Sequence, residues 1–294
     1  MRTPHVRTWR AAAGALTLAL AFGPLPADAG QDQGRQVLSF GVVPQQSASR
    51  LARMWTPLLR QLGQQAGVEV QFRTAPDIPT FEACLAAGHY DVAYMNPYHY
   101  TVFSRRAGYR ALAHQTGKRL RGIIVVRKAS DAQTIGDLDG QTVAFPSPGA
   151  FGASILPRAE MRTRGMAFRA TYVTSHDSVY RAVAAGIVPA GGGVLRTLDA
   201  IEPELRARLR IIYRTDAYTP HAIAARPDLD QAVLRALQAA LAGMAETAAD
   251  ALAGAGLSGL RAADDGDWDD VRRLSIDAAD AGLEAGGTRA CPLG

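Results

Sequence analysis

Cysteine is nearly absent from this chain: Cys84 and Cys291 are the only two among 294 residues. So few thiols exclude a disulfide-dense scaffold and a cysteine-ligated metal or cluster. In an oxidising compartment the two could pair and tie the C-terminus to the body; their spacing leaves a disulfide and free thiols equally open. Aromatic residues make up only 7% of the chain, and Lys118 and Lys128 are its only lysines. A basic stripe interleaved with aromatics is therefore missing, which argues against a nucleic-acid partner. Beyond Phe22 there is no long apolar run, so the mature chain holds no candidate membrane span. Nucleophile elbow, Walker loop, H-E-x-x-H and dinucleotide fingerprint are all lacking, so neither catalysis nor a cofactor is expected.

What is present begins with a leader. Arg2, Arg7 and Arg10 precede the apolar run Ala11 to Phe22, and Ala27-Asp28-Ala29 supplies a small-x-small cleavage pattern. These three parts read as a secretory signal peptide covering residues 1–29, which places the mature chain in the periplasm. The full sequence is 48% hydrophobic, enough for a sizeable core, and its net charge of +5 suits an anionic partner.

From Val37 onward, strand-like and helix-like segments alternate, the pattern of an α/β fold. Candidate strands are Val37 to Val43, Val68 to Phe72, Asp91 to Tyr94, Gly122 to Val126, Thr142 to Phe145, Ala170 to Val173, Val188 to Gly193, Leu209 to Tyr213 and Ala222 to Ala225. The helix after Ser47 carries Leu51, Trp55, Leu58, Leu59 and Leu62 on one face, and Pro57 is expected to kink or split it. The C-terminal third reads as helical, with Val233, Leu237, Leu241 and Met244 at helical spacing. No repeat or flexible linker divides the chain, so two lobes would require it to cross between them twice. The expected division is 30–122 with 217–294 as a discontinuous first lobe and 123–216 as the second. Each lobe is expected to hold a mixed, mostly parallel sheet flanked by helices, with two crossover strands at the hinge.

Strand, tight polar turn and helix start recur at Val43 to Ser47, Tyr94 to Pro97, Phe145 to Phe151 and Val173 to His176. In an open sheet such turns lie at the carboxyl ends of the strands, where ligands bind, and each helix start offers unpaired N–H groups. The candidate ligand-binding residues are Gln46, Ser47, Tyr94, Asn96, Tyr98, Ser147, Ala150, Phe151, Ser175 and His176. Simple capping is the competing account of Ser47, Asn96 and Ser175, whereas Tyr90 and Tyr100 read as core. His89, His99 and His114 lack ligand-like spacing. The carboxylates at Asp264, Asp265, Asp267, Asp269 and Asp270 fit a helix opening near Trp268 better than a calcium loop. Gly191-Gly192-Gly193 marks close backbone approach at a strand end. His176 with Ser175 or Ser178 is the only local pairing that could serve a secreted hydrolase or transferase, and adjacent helix positions rarely face each other.

Three segments carry a resemblance. Phe40-Gly41-Val42-Val43-Pro44, Gly88 to Pro97 and Ser175-His176-Asp177-Ser178-Val179 resemble the phosphonate/phosphite/phosphate-binding proteins of ABC importers. That resemblance implies a type II, two-lobed periplasmic binding fold that closes on a small oxyanion, with Tyr94, the Asn96-Pro97 helix start and His176 at the ligand. It further implies an ABC permease as partner and a soluble monomer. Related proteins serve membrane histidine kinases as sensors of other oxyanions such as arsenite or tetrathionate, which is the alternative reading. Where such relatives open the middle-lobe helix with Ser-Thr-Ser-Gly, this chain reads Ala150-Phe151-Gly152-Ala153, flanked by Ser147 and Ser154. Where they place an acid beside an ammonium group, it reads Gly191 to Val194.

Overall fold

A computed structural model describes Met1, residues 35–283 and residues 290–292. The leader, apart from Met1, lies outside the described residues. The chain from Arg35 onward forms one compact unit built on two sheets.

Six strands make the first sheet: β1 (Val37–Val42), β2 (Glu69–Arg73), β3 (Val92–Met95), β4 (Arg110–Gln115), β10 (Ala222–Ala225) and β11 (Leu260–Ala262), in the order β11-β4-β10-β3-β1-β2. The second sheet holds β5 (Gly122–Arg127), β6 (Thr142–Phe145), β7 (Arg169–Tyr172), β8 (Ala190–Val194) and β9 (Leu209–Arg214), ordered β7-β6-β8-β5-β9. Both sheets are mixed as expected, but parallel pairing does not dominate. Four strand pairs run parallel and five antiparallel, because β10 runs against β3 and β4, β11 against β4, and β5 against β8 and β9. The chain passes from the first sheet to the second between Gln115 and Gly122 and returns between Arg214 and Ala222. These two passages pair with each other: Leu120 and Tyr218 exchange backbone hydrogen bonds of 2.8 and 2.9 Å.

The apolar run of β5 shows why this fold suits the sequence. Ile123 and Val125 face one buried cluster, with Val179 and Val183, while Ile124 and Val126 face another, with Phe145 and Met161. A strand covered on both faces needs such a continuous β-branched run. The helix α1 (Ala48–Ala66) buries Leu51, Trp55, Leu58, Leu59 and Leu62. Pro57 does not split it: the residue sits on the exposed face, where water can reach the carbonyl its missing N–H leaves unpaired. The other helices that frame the site are α2 (Ile78–Ala86), α3 (Pro97–Arg106), α4 (Leu156–Thr163, entered through a π-helical turn at Phe151–Ile155) and α5 (His176–Ala185).

Strands β4 and β11 have no counterpart in the sequence reading. Their sequences, RALAHQ and LRA, hold no β-branched residue and so carry no strand signal. The C-terminal third is less helical than expected: a helix over Gln231–Thr247 is followed by a short helix over Ala249–Gly254, by β11, and by a short helix over Asp269–Arg272 that opens beside Trp268. Cys84 on α2 and Cys291 are joined in a disulfide across a sequence separation of 207 residues, with Cα atoms 4.7 Å apart. The acidic stretch near Trp268 caps a 3₁₀ turn, Asp264 accepting from the Gly266 N–H at 3.0 Å. Its other carboxylates bind Arg119, Arg261 and Arg272. Among the described residues, no cluster of metal-ligating side chains is found.

Candidate functional site

Turns after β1, β3, β6 and β7 converge where the two sheets face each other. Asn96 caps α3, its Oδ1 accepting from the His99 N–H at 2.8 Å, while its Nδ2 reaches across to the Gly149 carbonyl at 3.0 Å. Ser175 caps α5 by accepting from the Ser178 N–H at 3.1 Å. The first N–H of α5, that of His176, donates to the Gln45 carbonyl of the opposite lobe at 3.0 Å. Arg196 also donates to the Gln45 side-chain oxygen. These three contacts join the lobes here, and beside them lies a small cavity of about 10 Å³. Val43, Gln45, Asn96, the Ala150 to Ala153 turn, His176 and His221 contribute to its wall, and no acidic residue does. A space this small admits at most one water-sized body, so a larger ligand enters only when the lobes part.

The turn at Ala150 to Ala153 supplies the backbone donors. The Ser154 and Ile155 N–H groups both bond the Ala150 carbonyl, at 2.7 and 3.1 Å, which leaves those of Phe151, Gly152 and Ala153 without a helical partner. Glycine makes this approach possible. A Cβ on Gly192 would lie 1.9 Å from the Ala153 carbonyl oxygen, and one on Gly122 would lie 2.1 Å from that of Gly152. The triple-glycine strand is therefore the seat of close backbone approach that its sequence suggested. Gly191 and Gly193 make the same room for Val179 and Tyr180.

Neutral imidazoles and one cation complete the lining. His176 is 1% exposed, and burial first, then the Arg196 charge, push its pKa down to about 3. Its Nδ1 lies 3.0 Å from Thr197 Oγ1, which is also 2.8 Å from the Tyr180 hydroxyl. His221 stacks on Tyr94 with ring centroids 4.8 Å apart. Burial, then Arg196, lowers the His221 pKa well below the ordinary range, and no protein group bonds its Nε2. The Arg196 guanidinium stands 5.7 Å from the Tyr94 ring centroid, a cation–π arrangement.

The imidazoles make the fold acid-sensitive. His114, His176 and His221 are all held below the ordinary histidine pKa of 6.5, chiefly by burial. Their contribution to stability is whole above pH 6.5 and is lost as pH falls toward their folded values, because the unfolded chain then binds more protons. Asp177, pushed up by burial, works the other way as a single group. For His176, whose folded pKa lies at about 3, the loss is about 1.4 kcal/mol per pH unit across that window. The urea midpoint is expected to fall clearly between pH 7.5 and pH 5.0; equal midpoints would contradict the buried neutral histidines.

Of the residues singled out in the sequence, Asn96, Ala150, Phe151 and His176 line the cavity and Tyr94 stands beside it. Ser175 is confined to capping. Ser47 begins α1 without a side-chain cap bond and is exposed, its hydroxyl 3.5 Å from that of Ser49. Gln46 is buried against Asp177 rather than lining the cavity. Ser147 is buried behind the turn, and its hydroxyl accepts from the Gly149 N–H at 3.4 Å. Tyr98 faces away, toward a depression beside Arg105 and Arg106, because the first turn of α3 rotates it off the cleft. Tyr90 and Tyr100 are core, as expected. Gln45, Arg196, Thr197 and His221 had no individual signal in the sequence.

Residues 40–268 fit the family described as ABC transporter, phosphonate, periplasmic substrate-binding protein. The chain belongs to that family. The phosphate-import protein PhnD of Mycolicibacterium smegmatis is 23% identical over 235 residues, covering 69% of this chain and 70% of the relative. Among solved structures, a phosphonate-transporter binding protein from Pseudomonas aeruginosa superposes with a TM-score of 0.76 at 19% identity, covering 82% of this chain and 86% of that one. PhnD1 from Prochlorococcus marinus, solved with methylphosphonate, gives 0.75 at 15% identity, covering 85% of this chain and 99% of that one. The fold is thus the two-lobed periplasmic binding architecture, and the importer reading is favoured over the kinase-sensor alternative. Among the described residues, no helix is long and apolar enough to cross a membrane.

Proposed function

We propose that this phosphonate-binding family member captures a single phosphorus oxyanion between its lobes and delivers it to an ABC permease as a monomer, without transforming it. The observation that carries this reading is the cavity wall: unpaired turn N–H groups, two neutral imidazoles and Asn96 around one space that no carboxylate lines, with Arg196 beside it. Such a wall suits an anion and opposes a cation. In this reading the Ala150 to Ala153 turn grips the oxyanion through backbone donors, while His176 and His221 orient it.

Transport without chemistry is supported by the serine contacts. Ser175 and Ser178 bond each other at 2.9 Å, whereas His176 turns its Nδ1 to Thr197, so neither serine is paired with a base, and the Thr197 hydroxyl donates to the Val194 carbonyl at 3.0 Å. The paired passages at Leu120 and Tyr218 form the hinge, dividing 30–122 with 217–294 from 123–216. Closure is favoured because only then do donors from both lobes meet one ligand. Residues 1–29 act as the export signal that delivers the chain to the periplasm.

The test is a thermal-shift panel on the mature chain with phosphate, phosphite, methylphosphonate, sulfate and arsenite. A ligand at 100 times its Kd adds about 2.7 kcal/mol, which moves the melting temperature by roughly 5–10 °C. A shift with a phosphorus oxyanion alone is expected. A shift confined to arsenite or sulfate would overturn the assignment.

A further inference from the structure

A second chamber adjoins the cleft. Its volume is 590 Å³, within the range of small-molecule sites, and it shares Val194 and His221 with the smaller cavity. Tyr94 and Arg196 stand on the same dividing wall, and the bond from Arg196 to Gln45 closes it. Lys118, Arg119 and Arg121 line the opposite side. Arg119 is neutralised by Asp270. Among the described residues no carboxylate lies within ion-pair reach of Lys118, Arg121 or Arg196, while the one acid in the lining, Asp199, pairs with Arg206 at 3.6 Å. Two side-chain nitrogens at the wall also lack a protein partner: Nη1 of Arg196 and Nε2 of His221, the latter on a side chain only 4% exposed.

We infer that this chamber receives the substituent of the bound oxyanion, and that the substituent carries a negative charge of its own. This rests on the oxyanion reading above and deepens it: the cargo is an organophosphorus dianion or polyanion, such as a carboxylated phosphonate or a phosphate ester with a second anionic group. The head would lie in the cleft with the lobes parted enough to hold it, and the second charge would face Lys118, Arg121 and Arg196. An inorganic ion would leave the chamber's three uncompensated cations unused. A cationic tail, as in an aminoalkylphosphonate, would be repelled by all three.

Isothermal titration of the mature chain with three phosphonates of similar size separates these cases: phosphonoacetate, ethylphosphonate and 2-aminoethylphosphonate. Exposed ion pairs each contribute about two- to five-fold and are screened by salt. Phosphonoacetate is expected to bind about ten-fold more tightly than ethylphosphonate at low ionic strength, and 2-aminoethylphosphonate more weakly than either. The advantage should shrink at high salt. Lys118→Gln lies on the exposed rim, so folding is preserved; it should cut the phosphonoacetate advantage over ethylphosphonate by about two- to five-fold. Equal binding of phosphonoacetate and ethylphosphonate would overturn the chamber assignment while leaving the oxyanion cleft standing. Failure of all three, and of inorganic phosphate, would overturn both.

Discussion

Gly149→Ala is expected to raise the Kd for inorganic phosphate by about 5- to 150-fold while leaving the melting temperature of the unliganded chain nearly unchanged. The residue sits in the second-lobe loop that meets α2, and a Cβ there would lie 2.1 Å from Glu82 Oε1. Glu82 cannot simply swing aside, because it is buried and its Oε1 lies 2.8 Å from His99 Nε2. The Gly149 carbonyl also accepts the Asn96 bond that joins the lobes. Overpacking of this kind costs about 1–3 kcal/mol. That cost falls on the closed conformation alone, since parting the lobes relieves it. Affinity drops by the factor by which closure is disfavoured, and 1.4 kcal/mol is about ten-fold. Titration gives the Kd, and small-angle scattering with phosphate present should show the variant more extended than the unsubstituted chain. Wild-type affinity and an equally compact variant would mean that the Gly149–Glu82 approach is no part of the ligand-bound state.

How much of this was legible beforehand depends on the range of the interaction involved. Asn96-Pro97 and Ser175-His176 announce helix starts through bonds spanning three residues, and both caps form. Strands β6 and β10 were bounded correctly because each is a short apolar run between turn residues. The three glycines of β8 were readable as a place of close approach, but not that the approaching atom is the Ala153 carbonyl.

What the chain could not reveal is tertiary. His221 enters the site because β10 pairs antiparallel with β3 and sets the imidazole on the Tyr94 ring. Arg196 follows β8, and only the facing of the two sheets brings it to Gln45. The turn at Ala150 to Ala153 carries no hydroxyl and so gives no side-chain signal, yet its backbone donors are there. Ser47 and Tyr98 were misplaced for one reason: a residue next to a helix start points into or out of a cleft according to helix rotation, which sequence spacing does not set.

His176→Ala carries the other large expected effect. The ring lines the cavity, is neutral across the physiological range, and is locked by Thr197, which Tyr180 and the Val194 carbonyl hold in turn. A hydrogen bond to a charged ligand contributes about 1.5–3 kcal/mol, so the Kd for phosphate should rise roughly 10- to 150-fold. Ser178→Ala, two positions along the same helix, removes only a hydroxyl bonded to Ser175 and should change the Kd less than two-fold. Because removing a buried ring also costs stability, binding must be titrated well below the variant's melting temperature. His176→Ala also removes one of the three imidazoles whose pKa burial lowers, so the loss of stability between pH 7.5 and 5.0 should be smaller than in the unsubstituted chain. A variant that binds phosphate as tightly as the unsubstituted chain would remove His176 from the site. A variant that binds weakly but shows the full acid sensitivity would keep it at the ligand and deny that its imidazole is held neutral by burial.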